Sequence, residues 1–112
     1  MREVFQQAMQ LMRRHDPQAR EDGFALAREH AADIVDELIA EFAREQQDHG
    51  LRCWLLELIG EARSERAFPT LAEQLQGPDE ALRSSARIGL ESLGMAAARR
   101  ELWRARAYGA IP

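Results

Sequence analysis

One short pattern recurs three times along this chain of 112 residues. Asp79-Glu80-Ala81-Leu82-Arg83 is preceded, 31 residues earlier, by Asp48-His49-Gly50-Leu51-Arg52, and 32 residues before that by Asp16-Pro17-Gln18-Ala19-Arg20. Each copy starts at Asp, ends at Arg and carries an apolar residue just before the Arg. A near-constant period of this length marks stacked supersecondary repeats, each of which cannot bury its apolar face alone. Asp at a helix start accepts hydrogen bonds from the first free backbone amides and suits the positive end of the helix dipole. The Arg one turn later lies on the same face. An isolated Asp–Arg pair would contribute only about 0.3–0.5 kcal/mol. Three in register predict a partly desolvated ladder between neighbouring repeats, which makes Arg52 and Arg83 structural.

The rest of the chain predicts helix throughout. Ala, Leu, Glu, Gln and Arg dominate, all good helix formers, and only four prolines and seven glycines interrupt them. The first helix is expected from Arg2 to about Arg14, on a stripe of Val4, Phe5, Ala8, Met9, Leu11 and Met12. Asp16 and Pro17 start a second, in which Gly23 either weakens the helix or lets a neighbour approach closely. The third is expected over Ala32–Gln47, on Ile34, Val35, Leu38, Ile39 and Phe42. The fourth, Leu51–Ile59, is apolar almost all round and belongs in the middle of a stack, with Gly60 as its terminator. A fifth passes through Phe68–Leu75, and Gly77-Pro78-Asp79 reads as a turn and a cap. A sixth runs to Leu93, a closing helix spans 96–107, and residues 108–112 form a tail. The reading is one domain over 1–112, with helix pairs at 2–31, 32–61 and 65–94.

These residues resemble HEAT repeats, in particular short bacterial HEAT-like repeats. The unit runs through Gly60-Glu61-Ala62-Arg63-Ser64-Glu65-Arg66-Ala67-Phe68-Pro69-Thr70-Leu71, then Asp79-Glu80-Ala81-Leu82-Arg83 and Leu90-Glu91-Ser92-Leu93-Gly94. The match is strong from Asp48 to Trp103 and departs from the pattern at Pro17 and Gly23. The resemblance implies an all-α fold: a right-handed α-α superhelix of about three helix pairs with a C-terminal cap, its second helices lining a concave surface. It also implies binding, usually of another protein.

Charge and composition narrow the function further. All 15 basic residues are Arg, which fits codon bias in a high-GC bacterial genome, and the net charge is −4. Residues 16–48 carry ten acids and three arginines, whereas residues 83–112 carry six arginines and two acids. The basic end at Arg99, Arg100, Arg104 and Arg106 raises nucleic acid. The negative total and sparse aromatic interleaving argue against it. The N-terminus lacks the apolar core of a signal peptide, and no stretch approaches the ~20 apolar residues that span a bilayer, so the expected location is the cytoplasm, away from membranes.

Nothing in the sequence carries chemistry. Cys53 is alone in an apolar helix and reads as a buried, inert thiol. His15, His30 and His49 lack metal-ligand spacing. No phosphate loop, nucleophile elbow or small-molecule site is indicated. Trp54 and Trp103 lie in apolar stripes and read as core. The expectation is therefore a non-enzymatic protein-binding scaffold with no metal or cofactor. Its alternatives are an immunity or inhibitor protein neutralising a bacterial toxin through the acidic residues 33–48 and, with less support, a lyase-like HEAT relative acting on tetrapyrrole-bearing proteins. Steps of about 100° per residue place the binding strip on the second helices. Its residues are Leu56 and Glu57 in the fourth helix, and Ser84, Arg87, Ile88 and Glu91 in the sixth, with Cys53 of the fourth and Glu21 and Arg28 of the second at corresponding positions.

Overall fold

A computed structural model describes residues 2–112. Among them there are seven α-helices and no strand: α1 (Arg2–Met12), α2 (Pro17–Glu29), α3 (Val35–Arg44), α4 (His49–Glu61), α5 (Phe68–Leu75), α6 (Glu80–Leu93) and α7 (Ala96–Ala107). A 3₁₀ turn, Glu65–Ala67, leads into α5. No helix among these residues is long and apolar enough to cross a membrane.

The three recurring aspartates cap the three second helices identically. Asp16, Asp48 and Asp79 accept from the backbone amides of Ala19, Leu51 and Leu82 at 3.2, 3.1 and 3.0 Å. Each carboxylate accepts from an amide of its own helix, and Asp79 also meets His49 Nε2 of α4 at 2.7 Å, so the contact that crosses between helix pairs there is to a histidine and not to the repeated Arg. The arginines do something else. Arg52 donates to the carbonyl oxygens of Phe42 (2.9 Å) and Glu45, at the end of α3, and its guanidinium stands 4.1 Å from the Phe42 ring centroid. Arg83 donates to the Gly77 carbonyl at 3.0 Å. Both therefore clasp the turn that delivers the chain into their own helix, satisfying carbonyls that a helix end leaves unpaired. Arg20 is exposed and makes no such bond among the described residues. The expected Asp–Arg ladder is corrected to two arginine–carbonyl clasps.

Helices pack as hairpins: α1 on α2, α3 on α4, α5 on α6. The second helices then stack in sequence, α2 on α4 and α4 on α6, while α7 closes the end against α5 and α6. One continuous apolar cluster runs from Ala8 to Ile111, with Ile34, Leu38, Leu55, Leu56, Leu58, Ile59, Leu71, Leu75 and Leu90 fully buried. In the first hairpin Gly23 permits contact rather than weakening the helix: a Cβ there would lie 2.6 Å from the Ala8 carbonyl oxygen.

Several boundaries differ from the sequence reading: α3 ends at Arg44 instead of Gln47, and α4 starts at His49 instead of Leu51. The first helix ends at Met12, before Arg13 and Arg14. α3 starts at Val35 instead of Ala32, because the Ile34 amide bonds back to His30 and Ala31 and completes a tight turn after α2. α4 passes through Gly60 to Glu61, so Gly60 is not its terminator. The residue after its cap, Arg63, takes the left-handed conformation (φ 51°) that usually falls to glycine.

Candidate functional site

α4 and α6 touch backbone to backbone. A Cβ added at either Gly60 or Gly89 would lie 3.0 Å from the Cα of the other. This close crossing forms the floor of a groove of about 320 Å³ on the second-helix face. Glycine inside an otherwise apolar helix is the sequence signal for such an approach.

The walls are mixed. Ile88, 55% exposed, is the apolar member from α6, flanked by Ser85 and Ser92. Glu57 faces them from α4. At one margin Arg28 of α2 grips Glu61 with two contacts, Nε to Oε2 at 2.7 Å and Nη2 to Oε1 at 2.8 Å. Arg63 closes the groove from the strained turn. A side chain other than glycine in this backbone region costs roughly 1 kcal/mol, and such strain concentrates where a side chain is used.

The six residues expected to bind a partner separate into four groups. Glu57 and Ile88 line the groove together. Arg87 and Glu91 lie on the outer side of α6 as an ion pair (3.2 Å), and Glu91 also receives Arg106 of α7 at 3.3 Å. Ser84, a turn nearer the helix start, borders a separate shallow depression with His49, Pro78 and Asp79. Leu56 is corrected: it is fully buried, because α4 is packed by α2, α3 and α6 on different sides, and no partner can reach it. Arg28, expected at the corresponding position of the second helix, also lines the groove, which adds Glu61, Arg63, Ser85 and Ser92. Arg63 comes from a turn, which a helical wheel cannot supply.

The other candidate residues fall into place. Trp54 is partly buried against Phe24, ring centroids 4.6 Å apart. Trp103 is corrected from core to surface, at 72% exposed. Its neighbour Leu102 takes the inward position with Ala98 and Ala105. Cys53 is partly buried instead of enclosed, with its sulfur 3.8 Å from His49 Nε2 and 4.0 Å from Nδ1. Burial, aided by the Asp79 charge, pushes the thiol pKa up, which disfavours the thiolate. The same His49 Nε2 contacts Asp79 Oδ2 at 2.7 Å.

Half of the acids in residues 33–48 are paired by arginines. Asp36 pairs with Arg66, Glu41 with Arg13 and Arg44, and Glu45 with Arg13. Glu45 also accepts the backbone amides of Gln47 and Asp48, both at 2.9 Å. Those amides, with Arg13, hold its carboxyl at a pKa of about 2.

Comparison with known proteins gives no match to any family model, curated protein or solved structure.

Proposed function

We propose that this chain is a non-catalytic protein-binding module of the HEAT-like kind, in which the groove between α4 and α6 receives a segment of another protein. The observation that carries this reading is Ile88, a large apolar side chain left more than half exposed beside a backbone-floored groove with charged margins. An apolar anchor ringed by polar groups is the usual anatomy of a binding patch. Arg63 supports it, since a strained non-glycine residue is placed at the rim where its guanidinium can meet an incoming carboxylate. On this reading the stacked second helices belong to a right-handed superhelix, and neither metal nor cofactor takes part.

A toxin-neutralising role is the alternative. The acidic third helix supports it less than the sequence suggests, because Asp36, Glu41 and Glu45 are engaged by Arg13, Arg44 and Arg66. The test is a pair of substitutions at groove-lining positions, Glu57→Arg with Ile88→Glu, in an affinity-tagged chain. Its helical content and thermal midpoint should match wild type, and a partner that co-purifies with wild type should be lost. A double variant that retains its partner in full would move the working surface elsewhere.

A further inference from the structure

The closing helix carries a second surface with a different chemistry. Four arginines and one glutamate lie on α7, and its buried side is made by Ala98, Leu102 and Ala105. Steps of about 100° per residue put Arg99, Trp103 and Arg106 on one outward stripe, with Arg100 and Arg104 on its flank. Trp103 is thus a bare indole in the middle of a guanidinium field, and Tyr108 at the helix end is 81% exposed. A helix that merely caps a stack needs a polar outer face, not an exposed indole. The arginines are held only by exchangeable surface contacts: Arg104 on Glu101 at 3.0 Å, Arg106 on Glu91 at 3.3 Å, Arg99 on the Gly94 carbonyl at 2.7 Å. Exposed ion pairs of this kind are weak, and a phosphate can displace them.

We propose that the outer face of α7 binds single-stranded nucleic acid, with Trp103 stacking on a base and Arg99, Arg100, Arg104 and Arg106 meeting the backbone phosphates. A nucleotide strand offers both required groups at each step, a π-face and a negative charge. Duplex nucleic acid hides its base faces. A second copy of this chain pairing face to face would bring two arginine-rich surfaces together. A lipid surface would need the apolar side of α7, which already lies in the core. The chain's net negative charge is concentrated in residues 16–48, so contact is confined to this end. The proposal is independent of the α4–α6 groove.

The test is fluorescence anisotropy with a labelled oligothymidylate of about twelve nucleotides at roughly 50 mM salt. Binding is expected, with log affinity falling against log salt at a slope of about −2 to −3 for three or four phosphate contacts. Trp103→Ala should weaken it about tenfold or more, and Trp103→Phe should retain most of it. Arg100→Glu, at another exposed position, gives an independent arm and should lower both the affinity and the slope. Circular dichroism melts should leave all three variants at the wild-type midpoint. No binding, equal binding by Trp103→Ala, or equally tight binding of a duplex or of a polyglutamate peptide would overturn the proposal.

Discussion

The repeated arginine gives a graded prediction, because its three copies make different contacts. Each is replaced by Ala in turn. Arg52 loses two charge-assisted bonds to the end of α3 and its seat on the Phe42 ring. Water can reach part of this site, so the bonds together are taken at about 2 kcal/mol and the ring contact at about 0.5–1 kcal/mol, near 3 kcal/mol in all. Arg83 loses one bond, to the Gly77 carbonyl, for about 1–1.5 kcal/mol. Arg20 loses none among the described residues and should change stability by less than about 0.5 kcal/mol. Urea unfolding followed by far-ultraviolet circular dichroism reads these differences, provided the slope with denaturant stays constant across the series. Arg52→Lys should recover part of the loss, since an ammonium can reach one carbonyl but has no planar fork for two. Equal losses at positions 20, 52 and 83 would refute the clasp and restore an Asp–Arg pairing common to all three repeats.

Gly23→Ala should destabilise by about 1–2 kcal/mol, because the clash with the Ala8 carbonyl outweighs the roughly 1 kcal/mol gained in helix propensity; a stabilised variant in the same urea assay would show that α1 and α2 can separate cheaply. Arg63→Gly should raise stability by about 1 kcal/mol while weakening partner capture, and a loss of stability would mean the left-handed turn carries no strain. Glu45 has a folded-state pKa of about 2, below its unfolded value near 4.3. Its contribution to stability is therefore fully present above that unfolded value and disappears as the pH falls through about 2. Glu45→Gln should flatten this part of the acid-unfolding curve, and an unchanged curve would assign the acid limb to other carboxylates.

Local chemistry was the legible part of this fold. The caps at Asp16, Asp48 and Asp79 follow from residues three positions apart, and the structure has each of them. The arginines share that spacing, but their acceptors lie six to ten residues upstream, on the preceding helix or turn. Spacing within one helix cannot reveal them. Leu56 and Trp103 were misplaced for related reasons. A wheel gives angles but not how many neighbours surround a helix, and α4 has neighbours on several sides. On α7 the adjacent Leu102 and Trp103 point about 100° apart, so only one can face the core, and the small Ala98 and Ala105 complete the face that Leu102 shares. Ile88 and Glu57 were legible as groove residues because α6 and α4 each present one accessible stripe there. The floor was not, since Gly60 and Gly89 reveal their contact only once two helices are brought together.

The most direct test of the binding groove is site-specific photocrosslinking in the cell. A photoreactive residue replaces Ile88 in one version of the chain and Ala40, exposed on α3, in the other. Irradiation should give one defined protein adduct at position 88 and none at position 40. An adduct at position 40 with none at 88 would contradict the account and place the working surface on the acidic third helix.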